Sequence, residues 1–260
     1  MIECFIRINS IEGEGWIMKA ILLAAGRGTR ISRMIEEIPK CVLPVDGIPL
    51  IRRSVMMLIE RDIQPIVCVG YNKTKIFEAL EGLDVTYFFN PFYDVTNSIA
   101  SLWFAREELT EDTIIMNGDV YIDHSILDLI IETEKECSLM VDTGRTVVGD
   151  YFLMLENGYI KKFGKDLPLK ERTCEYVGIG KVRERFLADF VGKLNSLIGN
   201  QEHQLWWENV LYSLTEEKNI GTIDIKGMFW SEIDYFDDYE RILAYTSRDP
   251  QKEKAVGGVR

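Results

Sequence analysis

The stretch KAILLAAGRGTRISRMIEEIPKCVLP, residues 19–44, decides the fold class predicted for this chain. It opens with an apolar run, residues 20–25, that has the length of a buried strand. The apolar run ends at Gly26-Arg27-Gly28-Thr29-Arg30, and the segment ends with Pro39-Lys40 and the next few residues. Glycines allow a tight turn that points backbone N–H groups at an anion, and Arg30 and Lys40 add two positive charges. These residues predict a strand followed by a loop that holds a triphosphate.

Two common phosphate-binding motifs do not fit this loop. The dinucleotide fingerprint G-x-G-x-x-G fails because Ile31 stands where the third glycine belongs, and the P-loop pattern G-x-x-x-x-G-K-[ST] fails as well. A glycine-rich turn after a strand is common and by itself more often only a turn. The combination G-x-G-T-R followed by P-K is more specific. It resembles the signature of nucleotidyltransferases that activate sugar phosphates and alcohol phosphates with a nucleoside triphosphate.

Composition limits the functional classes. The chain has 260 residues with 47% hydrophobic and 28% charged residues, enough for a large core and against disorder. Its net charge of -12 argues against extended binding to nucleic acid or to an anionic membrane, and without a run of 18 apolar residues no membrane insertion is expected. An acidic protein that handles polyphosphate must keep its cations local, so we expect a divalent metal, Mg²⁺, as cofactor.

Cysteine usage and the termini favour a cytoplasmic protein. The five cysteines form no C-x-x-C pair and are expected to be reduced core residues. No run of 18 apolar residues exists, and residues 1–17 lack the features of a signal peptide. Because Met18 looks like a natural start, residues 1–17 are predicted to be an N-terminal extension and residues 251–260 a C-terminal tail.

Strand and helix patterns alternate through the first half of the chain. The predicted strands are 20–25, 66–70, 85–89, 113–116 and 137–141, with helices at 49–60, 73–81, 97–109 and 125–135. This order predicts a right-handed parallel arrangement, which binds ligands at the carboxyl ends of its strands. The glycine loop and Asp119 both follow a strand, so we expect them at the same edge.

The second half has a different pattern. Asn157-Gly158 predicts a type I′ hairpin, followed by a strand at 174–181, helices at 186–197 and 205–214, a strand at 220–225 and a closing helix at 237–246. Without a visible linker, residues 18–250 are predicted to form a single domain. Its nucleotide-binding half is 18–142, and its acceptor-binding half, 143–250, is a lid on the first.

Further motifs follow the glycine loop in a fixed order. They are N-P-x-Y-x-x-T-N-S at 90–98, N-G-D at 117–119, F-G-K at 163–165, E-Y-V-G-I at 175–179 and W-x-E-I-D at 230–234. As an ordered set they resemble the cytidylyltransferases that act on phosphocholine or 2-aminoethylphosphonate, from Met18 onward. The resemblance implies an α/β, Rossmann-like nucleotidyltransferase fold with a central mixed, mainly parallel sheet flanked by helices, and a small acceptor-binding β/α lid.

The resemblance also implies roles for individual residues. Arg30 and Lys40 are expected to act in catalysis by holding the phosphates. Asp119 alone fits either a turn cap or a metal ligand, but with Glu232 and Asp234 it is expected to bind Mg²⁺. The nucleotide-binding residues implied are Leu23, Ala24, Ala25, Gly26, Arg27, Gly28, Thr29, Tyr71, Asn97, Ser98, Asn117 and Gly118.

The acceptor site is expected in the second half of the chain. Lys165 is implied to meet the acceptor's phosphoryl group, and aromatic faces with carboxylates suit a quaternary ammonium. The candidates are Tyr176, Trp206, Trp207, Asp142, Glu175 and Glu208. The two tryptophans also fit a helix with one side chain in the core. Relatives often have V-D-K where this chain has Val141-Asp142-Thr143, so acceptor identity stays open.

These observations predict an enzyme that transfers a cytidylyl group from CTP to a small phosphorylated or phosphonylated alcohol or amine and releases pyrophosphate. The expected partners are these small molecules, with the protein a monomer or homodimer. Two alternatives stay open. One is a sugar-1-phosphate or inositol-phosphate acceptor, and the other is a nucleotide-binding protein without catalysis.

Overall fold

The computed structural model describes residues 15–28 and 38–247. Within these ranges the chain alternates between strands and helices. The strands are β1 (Met18–Ala24), β2 (Pro44–Val45), β3 (Ile48–Pro49), β4 (Ile63–Val69), β5 (Thr86–Phe89), β6 (Thr113–Asn117), β7 (Val120–Tyr121), β8 (Cys137–Asp142), β9 (Phe152–Glu156), β10 (Tyr159–Gly164), β11 (Cys174–Val182), β12 (Gly221–Asp224) and β13 (Ser231–Glu232). The helices are α1 (Leu50–Ile59), α2 (Lys73–Ala79), α3 (Ser98–Phe104), α4 (His124–Glu132), α5 (Glu184–Gly199), α6 (Asn209–Tyr212) and α7 (Phe236–Thr246).

A nine-stranded sheet organises the molecule, in the order β5-β4-β1-β6-β11-β8-β12-β10-β9. The first-half strands β5, β4, β1 and β6 are parallel neighbours, as predicted. Strand β11 then runs antiparallel between β6 and β8. The predicted Rossmann-like mixed sheet is therefore confirmed, and the second half contributes a strand to its middle. The division into two functional halves stays a prediction.

Helices cover both faces of this sheet because the side chains of a strand alternate between faces. Along β1, Ala20 and Leu22 pack into the cluster that contains α1, α2 and α4, whereas Ile21 and Leu23 pack into the cluster that contains α3 and α5. A strand covered on both faces has to be apolar throughout. This accounts for the unbroken hydrophobic run that opens the glycine-loop segment.

Strand β4 begins earlier than predicted. A proline was expected to precede it, but Pro65 lies inside it, paired with Ala20 of β1. Proline lacks an N–H group and is tolerated where no neighbouring strand needs one. Because β5 pairs with β4 only from Ile66 onward, Pro65 leaves no ladder bond unmade on that side.

Two predicted helices are much shorter in the structure. The helix predicted at 97–109 spans Ser98–Phe104 and is followed by a separate 3-10 turn at Arg106–Glu108. Asn97 caps its start, because the side-chain oxygen accepts a 2.8 Å hydrogen bond from the backbone N–H of Ser98. The prediction of a helix at 205–214 is wrong for its first turn, since only Asn209–Tyr212 is helical.

The predicted hairpin turn is confirmed. Asn157 and Gly158 both have positive φ, 53° and 80°, as a type I′ turn requires. Four of the five cysteines lie in the described residues, where each is free and buried. None of the helices in the described ranges has the length and apolar character needed to cross a bilayer.

Candidate active site

A cleft of about 280 Å³ opens at the carboxyl ends of β1 and β6. The two loops that follow these strands touch, because the backbone N–H of Gly118 donates to the carbonyl of Leu23 at 3.0 Å. A Cβ at Gly118 would lie 3.0 Å from both that carbonyl and the Cβ of Ala24, so a larger residue would push the loops apart. The predicted residues that line the cleft are Leu23, Ala24, Ala25, Gly26, Gly28, Lys40, Asn97, Ser98, Asn117, Gly118, Asp119, Lys165, Glu175, Tyr176, Trp206, Glu232 and Asp234.

Lys40 lies at the centre of the charged part of this cleft. Its Nζ is 2.7 Å from Oδ2 of Asp119 and 2.8 Å from Oδ1 of Asp234. Gly28 has a φ of +61°, and a Cβ there would lie 2.6 Å from Cγ of Lys40. The glycine therefore lets the loop pass directly over the lysine. Burial lowers the pKa of the Lys40 ammonium, but the two carboxylates raise it by more, and the net shift is upward.

A short strand pair brings the distant carboxylates together. Strand β13 runs antiparallel to β7 with Glu232 opposite Val120, and the N–H of Ile233 donates to the carbonyl of Asp119 at 3.0 Å. Glu232 accepts a 3.4 Å hydrogen bond from the side-chain amide of Asn117. Burial raises the pKa of Glu232 well above its ordinary range, and the charges of Asp119 and Asp234 raise it further.

The carboxylates can be compared with the needs of Mg²⁺. This ion is usually bound by one or two carboxylates together with waters and phosphate oxygens. Asp119 and Asp234 both contact the Lys40 ammonium, so the two carboxylates converge on one positive charge. No group of three or more Asp, Glu, His or Cys side chains within residues 15–28 and 38–247 is placed to hold a metal ion. The pair fits Mg²⁺ with phosphate oxygens completing its shell, and Glu232 lies beside the pair.

The wall at the start of α3 is held by tertiary hydrogen bonds. Ser98 Oγ accepts from the backbone N–H of Trp207 at 2.9 Å, and Asn117 Oδ1 accepts from the indole N–H of the same tryptophan at 3.2 Å. The side-chain amide of Asn90 donates to Thr96 Oγ1 at 3.1 Å and to Ser101 Oγ at 3.0 Å. These bonds fix the polar side chains of this wall. They also hold Trp207 in an irregular segment where helix was predicted.

One end of the cleft holds the residues predicted to bind the acceptor, Lys165, Glu175, Tyr176 and Trp206, and is called the acceptor end below. It combines one lysine with aromatic and acidic side chains. Lys165 Nζ lies 3.7 Å from Oδ2 of Asp150 and 5.1 Å from the centre of the Trp206 ring. Tyr151 meets the same tryptophan edge to face, with 6.3 Å between ring centres. Glu208 is buried behind them, and burial raises the pKa of its carboxyl to about 7 despite its own backbone N–H and the charge of Lys165.

Four predicted residues do not line the cleft. Asp142 accepts a 2.9 Å hydrogen bond from the indole N–H of Trp230 and pairs with Arg145. Its carboxylate therefore supports the structure next to the cleft, which corrects the prediction that it lies in the acceptor site. Trp207 is fully buried, as the alternative reading of one tryptophan in the core predicted. Arg27 lies over the ring of Tyr71, and neither lines the cleft. Thr29 and Arg30 lie outside the described residues.

Comparison with known proteins identifies the family. The model of the MobA-like NTP transferase domain matches residues 20–162. The chain belongs to this family. Proteins of this kind are nucleotidyltransferases, so the predicted enzyme class is confirmed, and they generally use a divalent metal ion.

Individual relatives of this nucleotidyltransferase match along nearly their whole length. CTP:phosphoglutamine cytidylyltransferase of Campylobacter jejuni is 26% identical over 249 residues, 86% of this chain and 98% of that protein. Choline-phosphate cytidylyltransferase of Streptococcus pneumoniae is 27% identical over 241 residues, 86% of this chain and 96% of that protein. The solved structure of the S. pneumoniae CTP:phosphocholine cytidylyltransferase has a TM-score of 0.72 at 22% identity, covers 88% of this chain and 99% of that one, and supports the fold.

Several cleft residues of the nucleotidyltransferase were not singled out as site residues from the sequence. They are Cys41, Tyr93, Thr96, Ser101, Asp150 and Tyr151, whereas Glu208, which also lines the cleft, was among the predicted acceptor candidates. Tyr93 and Thr96 lie within the N-P-x-Y-x-x-T-N-S motif, so that motif could have indicated them. Asp150 and Tyr151 had no such signal, because they reach the cleft only through the pairing of β9 with β11.

Proposed function

We propose that this nucleotidyltransferase transfers a cytidylyl group from CTP to the phosphoryl or phosphonyl group of a small amine, of the phosphocholine or 2-aminoethylphosphonate class, and releases pyrophosphate. The observation that carries the proposal is that one cleft holds two lysines in different settings. Lys40 lies between Asp119 and Asp234 beside the glycine loop, and Lys165 lies among aromatic and acidic side chains. Two anionic reactants need two such cationic positions.

The choice of CTP rests on the relatives. Two proteins whose names state cytidylyl transfer from CTP or to choline phosphate match this chain over at least 96% of their own length. The polar side chains at the start of α3, with Asn97 and Ser98, supply donors and acceptors for a base and ribose. The two alternatives that stay open are a sugar or inositol phosphate as acceptor, and nucleotide binding without transfer.

The reaction needs charge control more than proton transfer. An acceptor phosphoryl oxygen, already ionised near pH 7, attacks the α-phosphorus of CTP. The new O–P bond forms as the bond to the β-phosphate oxygen breaks, and pyrophosphate leaves with that electron pair. No proton has to move, which agrees with the lack of a histidine among the described cleft residues. The work of the protein is to align the reactants and to neutralise charge.

Named residues divide this work. Lys40 is placed to exchange its contacts with Asp119 and Asp234 for the phosphates of the bound nucleotide. The same two carboxylates would hold Mg²⁺, which supplies charge neutralisation on the triphosphate when it is bound. Lys165 is within the acceptor end and would bind the attacking phosphoryl group. Arg30, predicted to help hold the phosphates, keeps that role as a prediction.

A pyrophosphate-release screen tests the proposal. ATP, CTP, GTP and UTP are each combined with phosphocholine, phosphoethanolamine, 2-aminoethylphosphonate and hexose 1-phosphates in the presence of Mg²⁺. We expect release with CTP and the amine-bearing acceptors. Release only with hexose phosphates would show that the acceptor is a sugar phosphate and not a phosphorylated amine. Binding of CTP without release from any combination would support the non-catalytic alternative.

A further inference from the structure

The acceptor end of the cleft contains a buried carboxylate oxygen without a hydrogen-bond partner. Glu208 is 5% exposed and lines the cleft, yet its Oε2 accepts no hydrogen bond from any of the described residues. A buried polar atom left without a partner costs folding free energy, about 1–3 kcal/mol and more when it is charged. Such an atom in a cleft wall indicates a ligand that donates a hydrogen bond to it.

Two further atoms of residues that line the cleft share this property. Within the described ranges, Oε2 of Glu175 and the hydroxyl of Tyr176 also have no hydrogen-bond partner. Glu175 Oε1 is used by the backbone N–H of Asp150 at 2.8 Å, and its Oε2 lies 3.7 Å from Arg145, too far for a hydrogen bond. The lining of this end therefore offers two carboxylate oxygens, which accept hydrogen bonds, and one hydroxyl, which can accept or donate.

The charges on this wall favour a cationic donor. Glu175 is partly neutralised by Arg145, which also pairs with Asp142. Lys165 is a positive charge that acts on the Glu208 carboxyl, and this lysine is expected to bind the acceptor's phosphoryl group. Once that lysine binds the phosphoryl group, Glu208 is left as a buried acid facing the remainder of the acceptor.

We infer that the acceptor carries an ammonium group with N–H donors, such as a primary amine, and that Glu208 selects it against a quaternary ammonium. The inference rests on the proposed function and narrows its acceptor class. A primary ammonium brings three N–H donors, which Glu208, Glu175 and Tyr176 can accept. A trimethylammonium group brings none, so it would leave these atoms buried and unpaired. Aromatic cover from Trp206 and Tyr151 suits either group and does not discriminate.

A methylation series measures this selectivity. Phosphoethanolamine and its N-methyl, N,N-dimethyl and N,N,N-trimethyl forms keep the same phosphoryl group and chain while the N–H donors are lost one at a time. With saturating CTP and Mg²⁺, we expect kcat/KM to fall along the series and to end at least about tenfold lower for phosphocholine than for phosphoethanolamine. Equal or higher kcat/KM for phosphocholine would overturn the inference and leave the proposed function standing.

A charge-removing variant assigns the selectivity to one residue. Glu208→Gln keeps the size of the side chain, and we expect it to lower kcat/KM for phosphoethanolamine about tenfold while changing that for phosphocholine much less. Glu202→Gln, an exposed carboxylate six positions earlier, is the control and should leave both values unchanged. Equal losses on both acceptors in Glu208→Gln would show a merely structural role and contradict the inference.

The failure of the proposed function gives a separate result. No pyrophosphate from any acceptor in the series would reject the transfer reaction. Calorimetric binding of phosphoethanolamine and phosphocholine to the wild-type protein then decides the inference on its own. Tighter binding of phosphoethanolamine would uphold it, and equal or tighter binding of phosphocholine, or no binding of either, would overturn it.

Discussion

Lys40 contributes to the site through the two carboxylates that it holds together. Asp119 and Asp234 come from distant parts of the chain, and their like charges repel at short range. The ammonium between them, 2.7 Å from one and 2.8 Å from the other, offsets that repulsion before any substrate arrives. The same residue thus holds the two carboxylates together and, in the proposed reaction, would bind the triphosphate.

Replacing Lys40 tests this double role. We expect Lys40→Ala to lower the rate of pyrophosphate release at least about a hundredfold, because a positive charge at the reacting phosphates is lost. Lys75→Ala, which removes an exposed lysine paired only with Glu78 on α2, should keep the wild-type rate. Circular dichroism should show a folded protein in both cases. Turnover of Lys40→Ala near the wild-type rate would reject the role.

The raised pKa of the Glu208 carboxyl predicts that the free energy of unfolding depends on pH. Burial raises the pKa of its carboxyl from 4.5 to about 7, so between these values the folded protein holds a proton that the unfolded chain releases. Raising the pH through this window therefore destabilises the fold, by an amount on the order of 3 kcal/mol at most. Glu208→Gln removes this cost. Its advantage in melting temperature over the wild type should grow from pH 5 to pH 8, and a constant difference would contradict the pKa shift.

At the level of secondary structure, the segment that leads into β9 fixes the position of one cleft side chain, Glu175. Residues 143–151 connect β8 to β9, and Gly149 packs against Glu175 so closely that a Cβ there would lie 2.3 Å from Oε1. The same carboxylate oxygen accepts the backbone N–H of Asp150. The position of Glu175 in the cleft therefore depends on the absence of a side chain at residue 149.

Gly149→Ala should weaken the use of the acceptor without changing the binding of CTP. The methyl group has to displace the Glu175 carboxylate, so we expect the KM of the acceptor to rise several-fold while the Kd of CTP stays unchanged. Gly192→Ala on α5, where no atom lies within 4 Å of the added Cβ, is the matched control and should raise stability by about 1 kcal/mol through helix propensity. An unchanged acceptor KM in Gly149→Ala would show that Glu175 does not contact the acceptor.

The elements that the sequence predicted best are those whose signal is local. The apolar run of β1 and the positive-φ pair Asn157-Gly158 depend on residues next to each other in the chain. Strand β11 was also predicted, but its place between β6 and β8 depends on partners far away in sequence. The helix predicted at 205–214 failed for the same reason, since bonds from Trp207 to Ser98 and Asn117 override its local preference.

Across the whole molecule, the structure brings the predicted acidic residues together more completely than the predicted acceptor residues. The motifs N-G-D and W-x-E-I-D each follow a strand, and the pairing of β7 with β13 brings them together as expected. The acceptor site was harder to predict because composition does not show which of two adjacent tryptophans faces the cleft. Nor does it show that Asp142 is used by Trp230 and Arg145, or that Oε2 of Glu208 accepts no hydrogen bond from the described residues.

Phosphorus NMR of one reaction mixture tests the central claim most directly. CTP, phosphoethanolamine and Mg²⁺ are incubated with the protein, and the phosphorus signals are followed with time. The account predicts that a CDP-linked diphosphate and pyrophosphate appear in equal amounts as CTP and the acceptor disappear together. Hydrolysis of CTP without a new diphosphate linkage, or no change in any phosphorus signal with any of the phosphorylated amines, would contradict it.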